Sequence, residues 1–328
     1  MSIKIAVIGT GKVARNNYLP FLSMEKDVAL TYFSRTRSKA ETCANLFGGC
    51  VVETIDDIHA DNPDAILVLT PESQRYAVTS VLLQSKPKRL FFEKPLVAQN
   101  GQDKVCEDDF HKAAYLLKQA KRSGTETAMV FNYRFFEQTV RMKHIIDDRC
   151  FGKLIHASMF VNYACWSHCI DLLHFFGGRA SQISALAGGI QYKDAVDVSA
   201  SFCLENGAAG TILGTNGSPL ELPLYQMVMN FENGTIRLSD LDGPMDVFDK
   251  TTRYFETHTL TGNHSRWEQY NSSFEKSLAA YLDSIRHSEP PPVPGIAGLM
   301  ELQFEAALRR SIEQKRLVNV QDEFPLEI

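Results

Sequence analysis

Two short stretches bring together residue types that do chemistry. The first, Gly9-Thr10-Gly11-Lys12-Val13-Ala14, has the spacing G-x-G-x-x-A. Two glycines permit a tight turn and the close approach of a pyrophosphate, and the small Ala14 lets a helix pack against the preceding strand. The second, Glu93-Lys94-Pro95, abruptly ends the apolar run Leu90-Phe91-Phe92. A lysine delivered there can hold a substrate hydroxyl, or donate a proton as a carbonyl is reduced, where burial and nearby cations lower its pKa. Pro95 fixes the backbone direction beyond it.

Each of these side chains needs an element to carry it. The first 131 residues alternate apolar strands (3–8, 28–33, 65–69, 90–92, 127–131) with helical stretches (12–24, 39–47, 73–84, 108–122). That alternation predicts an α/β domain with a parallel, doubly wound sheet over residues 1–131. The polar stretch 99–104 reads as a surface loop. The glycine turn follows the first strand, Thr70-Pro71 the third and Glu93-Lys94-Pro95 the fourth, so all lie on the carboxyl edge, where open α/β sheets bind ligands. After the second strand comes Ser34-Arg35-Thr36-Arg37. A carboxylate there would hydrogen-bond the ribose 2′-hydroxyl of NAD; a hydroxyl and two guanidiniums suit the 2′-phosphate of NADP. The plainer reading makes them solvated arginines leading into a helix. NADP is the expected cofactor, ahead of NAD.

Beyond residue 150 the rhythm changes to neighbouring strands (154–163, 196–204, 208–213, 224–231, 235–238), several separated by Asn-Gly or Asp-Gly turns. These predict an α+β domain over 132–328 with a large, mostly antiparallel open sheet. Two helices, 272–287 and 295–314, flank the proline run 289–294, and the last is expected to pack back towards the first domain.

Bulk properties exclude several classes. The 328 residues are 44% hydrophobic and 22% charged, with a net charge of −5 and no basic block, which argues against nucleic acid or an acidic membrane as partner. No apolar run reaches the ~18 residues of a membrane span, and the N-terminus enters a strand directly, so a cytoplasmic location is expected. The seven cysteines are scattered in mostly apolar surroundings. Cys165, His168, Cys169 and His174 cluster in sequence but lack paired CxxC spacing, so no metal is expected.

The chain resembles the Gfo/Idh/MocA oxidoreductases along nearly its whole length. The resemblance rests on the glycine turn, Thr70-Pro71, Glu93-Lys94-Pro95, Asn132-Tyr-Arg-Phe135, Phe151-Gly-Lys-Leu154, Asp197-Val-Ser-Ala-Ser-Phe202 and the Glu289-Pro-Pro-Pro turn. It implies NAD(P)-dependent hydride transfer on sugars, polyols or their derivatives, with dimers or tetramers built through the second sheet. It also implies a catalytic histidine in D-x-x-x-H-x-x-D, matched in Ala164–Asp171 by His168 and Asp171; three apart, they share a face on a helix, and the imidazole would do acid–base work near neutral pH with Lys94 holding the same oxygen. The first Asp is replaced by Ala164, which weakens the case for ordinary polyol oxidation; Asn162 or Tyr163 could supply the lost contact. Arg75 stands where many relatives have histidine, either as an anion-binding group at a pocket mouth or as a solvated side chain. Tyr163, Trp166, Asp171 and Arg134 are candidate substrate contacts. Core filling competes for Trp166, an ion pair for Arg134 and simple packing for His174. Two other readings stay open: an enzyme that retains its dinucleotide, for instance for glycoside cleavage, and a non-catalytic sensor.

Overall fold

Strands buried on both faces must be apolar almost throughout. In the computed structural model, which describes residues 2–192, 195–217, 219, 221–261 and 265–328, such runs build a six-stranded sheet. Its strands are β1 (Ile3–Ile8), β2 (Val28–Phe33), β3 (Cys50–Val51), β4 (Ala65–Val68), β5 (Arg89–Phe92) and β6 (Glu126–Met129). They lie in the order β3-β2-β1-β4-β5-β6, with every pair parallel. This is a Rossmann-like arrangement, and its strand order reverses between β1 and β4, where such sheets bind ligands. Phe91 on β5 packs against Tyr18 at 6.0 Å and Tyr281 at 4.8 Å between ring centroids. The outer edge of β6 is covered: Met129 N donates to Val293 O, and Gly295 N to Thr127 O.

The chain divides into two compact units. The first holds Met1–Phe131, Phe274–Leu302 and Glu327–Ile328; the second holds Asn132–Ser273 and Gln303–Leu326. The second unit contains a nine-stranded sheet of β7 (Leu154–Asn162), β8 (Ala180–Tyr192), β9 (Ala195–Leu204), β10 (Ala209–Thr215), β11 (Tyr225–Phe231), β12 (Gly234–Ser239), β13 (Met245–Asp249), β14 (Phe255–His258) and β15 (Val318–Asn319). The order is β14-β13-β12-β11-β7-β10-β9-β8-β15, antiparallel except for the parallel pair β10–β7. Side chains alternate across this sheet. The row Ala185, Ala200, Ile212, Met159, Met227, Leu238 and Met245 is buried, whereas Leu186, Leu213 and Phe160 lie in the adjacent row and are exposed.

The sequence pattern hides some elements. β8 carries its apolar residues Leu186, Ile190 and Tyr192 on exposed positions, so period-2 contrast is lost. The helix expected over 12–24 opens as a π-helical segment, Ala14–Tyr18, and continues as Leu19–Leu22. The helix Glu137–Asp148 lies outside the expected elements, and the loop 99–104 contains a short 3₁₀ turn, Gln102–Lys104.

Candidate functional site

In the first unit the chemistry gathers at the carboxyl ends of β1, β4 and β5. Gly9 has φ +97°, and a Cβ there would lie 2.7 Å from Leu69 C and from Thr70 N, so only glycine fits. Its N–H donates to Phe33 O at 3.0 Å, which ties the turn to the end of β2. A Cβ on Gly11 would meet nothing within 4 Å. Gly11, Lys12 and Val13 are exposed, while Ala14 is fully buried against the sheet. The Thr10 and Thr70 hydroxyls are buried and have no hydrogen-bond partner among the described residues. An open cradle at Gly11 beside two unused hydroxyls fits a dinucleotide pyrophosphate.

At the end of β2, Ser34 is half-buried and Arg35 is exposed. Arg37, expected beside them as a phosphate ligand, is otherwise engaged: it bonds Glu41 at 2.7 Å and also pairs with Glu53. Arg35 is therefore the guanidinium available for an anion.

Beyond β5, Glu93 is an anchor and not an open ligand. Its carboxylate accepts from Tyr18 Oη at 2.7 Å and from Lys94 N at 2.8 Å. The Lys94–Pro95 peptide is cis. The Lys94 Nζ donates to Gln102 Oε1 at 3.1 Å, and Gln102 N donates to Glu72 Oε1 at 3.3 Å. Gln102 sits in the stretch read only as surface loop, where no periodic signal marks a partner. Pro71 caps the helix Glu72–Leu82. Arg75 is neither a mouth residue nor solvated, as the sequence had suggested; it is buried against backbone carbonyls.

In the second unit His168 lies on the helix Trp166–Gly177 and is only 3% exposed. Its ring stacks on Tyr133, with centroids 4.0 Å apart and planes 4° from parallel. The Tyr133 hydroxyl is 3.0 Å from Cys165 Sγ. Next to it, Arg134 makes a bidentate pair with Asp171, at 2.8 and 2.5 Å. Burial holds the Asp171 carboxyl above the usual carboxylate range, against the opposing pull of the Arg134 guanidinium. Both residues were expected at the substrate, yet each is engaged by the other. Asn132 completes the motif by donating to Ser273 Oγ at 2.8 Å. Tyr133 is one residue of the Asn132–Phe135 motif, and its stacking role appears in three dimensions alone.

Trp166 is buried, with its ring edge where a Cβ on Gly214 would fall, 2.6 Å away, so it fills the core. The Tyr163 hydroxyl donates to Val196 O at 2.6 Å, and burial pushes its pKa up to about 12. Ala164 N donates to Asn162 Oδ1 at 2.9 Å, so Asn162 caps the turn where the family pattern has its first Asp. His174 is packed at 5.9 Å from the Phe304 ring; burial, helped by Arg134 and Arg179, pulls it down to about 3 and keeps it neutral. Among the described residues no group of three or more His, Cys, Asp and Glu side chains could hold a metal ion. No described helix is long and apolar enough to cross a membrane.

Comparison with known proteins follows the same lines. Residues 3–124 match the model of the GFO_IDH_MocA oxidoreductase family, with its NAD-binding Rossmann fold. A myo-inositol 2-dehydrogenase from Thermotoga maritima is 23% identical, covering 98% of this chain and 99% of the relative. An oxidoreductase from Agrobacterium radiobacter, solved in complex with NAD+, L-tartaric acid and magnesium, superposes with a TM-score of 0.82 at 15% identity over 98% of this chain and all of that one. A putative NADPH-dependent oxidoreductase from Desulfitobacterium hafniense gives 0.80 at 15% identity over 99% of both chains. Residues 3–124 thus match the NAD-binding Rossmann fold of the GFO_IDH_MocA oxidoreductase family, and over nearly its whole length the chain is similar to a named dehydrogenase.

Proposed function

We propose that the chain transfers hydride between a nicotinamide dinucleotide, NADP in preference to NAD, and the carbinol or carbonyl carbon of a sugar- or polyol-like substrate. The observation that carries this reading is the meeting of the glycine turn, Thr70-Pro71 and the Lys94 turn on one carboxyl edge of a parallel sheet. When bound, the nicotinamide supplies or accepts the hydride. The main chain of Gly9, Thr10, Gly11, Lys12 and Val13 cradles the pyrophosphate, and the Thr10 and Thr70 hydroxyls gain partners. Ser34 and Arg35 take the 2′-phosphate. Lys94 offers its ammonium to the reacting oxygen, and His168 takes or returns that oxygen's proton. The Arg134–Asp171 pair and the Tyr133 stack brace the helix that carries His168. The sugar or polyol class is supported by the relative from Thermotoga maritima. The uncovered row containing Leu186, Leu213 and Phe160 is taken as the face through which copies of the chain pair.

The test is a titration of the purified chain with NADPH and, separately, NADH, followed by nicotinamide fluorescence. Saturable binding, tighter for NADPH, is the expected result. Equal affinity for both would remove the NADP preference. Binding of neither, with no nucleotide released on denaturation, would overturn the reading. A panel of polyols, aldoses and ketoses then identifies the substrate by the change in nicotinamide absorbance.

A further inference from the structure

Arg75 belongs to the helix that starts after Thr70-Pro71, and at 2% exposure it is almost removed from water. Its Nη2 donates to Thr70 O at 2.9 Å; its Nη1 donates to Glu93 O at 2.5 Å and also to Pro95 O. These carbonyls come from two turns. Thr70 follows β4, while Glu93 and Pro95 bracket Lys94 after β5. A guanidinium is a rigid planar fork, so holding three carbonyls with it fixes the two turns against each other. A buried cation is costly unless opposed, and here the Glu93 and Glu72 carboxylates oppose it. Both are engaged around Lys94: Glu93 accepts from Lys94 N, and Glu72 from Gln102 N, whose side chain accepts from Lys94 Nζ.

In a doubly wound sheet the β1–β3 half takes the adenine nucleotide, and the half from β4 onward takes the other nucleotide. We infer that Arg75 is the positioning residue of the nicotinamide half: it locks the Thr70 turn to the Lys94 turn, so that Lys94 is presented in one fixed orientation. The assignment rests on the dinucleotide reading above. It acts through Lys94 and the two turns, and Arg75 itself touches neither cofactor nor substrate.

The test compares the wild-type chain with Arg75→Lys, which keeps the charge but lacks the fork, and Arg75→Met, which lacks both. Folding is followed by circular dichroism and melting temperature. Calorimetry measures affinity for NADPH and NADH, which use both halves of the site, and for ADP-ribose and 2′-phospho-ADP-ribose, which use the adenine half alone. In both variants the reduced dinucleotides are expected to bind about tenfold more weakly. The ADP-ribose probes are expected to keep their affinity to within about twofold, and the bound nicotinamide fluorescence is expected to fall. A purely structural role would move all four affinities together, and that outcome overturns the assignment. So do variants that bind NADPH as tightly as wild type, and so does failure of both variants to fold, which would make Arg75 a folding residue. A wild-type chain that binds neither dinucleotide overturns the dinucleotide reading and this assignment together, which separates the two failures.

Discussion

Lys94 and His168 carry the proposed chemistry, and each reaches its place through neighbours that can be named. Lys94 is held by its own N–H on Glu93 and by Gln102 at its tip. His168 lies flat on Tyr133. Replacing either by alanine is expected to lower kcat by about two to four orders of magnitude while dinucleotide affinity stays close to wild type. Single-turnover kinetics with the substrate from the panel checks this; a variant that turns over like wild type would remove that residue from the mechanism. For cofactor choice, Arg35→Ala is expected to weaken NADPH about tenfold and leave NADH unchanged. Arg37→Ala should have the smaller effect, because Glu41 and Glu53 already hold that guanidinium. Parallel fluorescence titrations decide the order, and equal losses for NADH and NADPH would end the phosphate argument. The residue types of this site were legible in the sequence; their partners were not. Tyr18, Arg75 and Gln102 reach the Glu93–Pro95 turn from 75, 18 and 8 residues away, and no local pattern encodes such meetings.

At the scale of elements, strands were easier to foresee than helix ends or exposed strands. β1 falls where its apolar run places it, because near-complete burial leaves little freedom of composition, and β2 keeps its expected bounds although only Leu30 and Tyr32 are buried. β8 escaped because its outer half is uncovered on both rows and its pattern carries no contrast. The short C-terminal elements of the second unit are joined by charge as well as by apolar contacts. Glu323 accepts from Arg316 at 2.6 Å and Arg310 at 3.0 Å, and these contacts, Arg316 first, pull its carboxyl down to about 2. A depressed pKa adds stability that is fully present above the unfolded value of about 4.3 and is lost as pH falls towards the folded one. Glu323→Gln is therefore expected to cost about 1 kcal/mol or less near neutral pH, given the partial exposure of the pair. Melting curves should show the gap to wild type closing as the pH is lowered from about 4 to about 2. A gap that persists unchanged through that window would mean the glutamate acts by packing and not by charge.

At the scale of the whole molecule, the second sheet exposes apolar side chains in one register: Leu186 is 75% exposed, and Leu213 and Phe160 lie in the same row, interrupted by Ser199 and followed by Gln226. Rows of this kind are a liability in a monomer and a contact surface in an assembly. Sedimentation velocity is expected to show a dimer or tetramer. The double substitution Phe160→Glu with Leu213→Glu should shift it to the monomer while dinucleotide binding in the first unit persists. A monomeric wild type would refute the pairing.

By itself the sequence determined the alternation of strands and helices, the glycine turn, the Lys94 turn and the change of rhythm near residue 150. These are local: each rests on burial periodicity, on backbone freedom at glycine or on the chemistry of adjacent residues. Only the tertiary structure decided that Arg75 is a buried brace, that Arg134 and Asp171 satisfy each other, that Arg37 is taken by carboxylates and that Trp166 belongs to the core. It decided these because a charged or aromatic side chain reads the same in sequence whether it faces water or a partner, and desolvation, which separates the two cases, depends on atoms brought close by the fold.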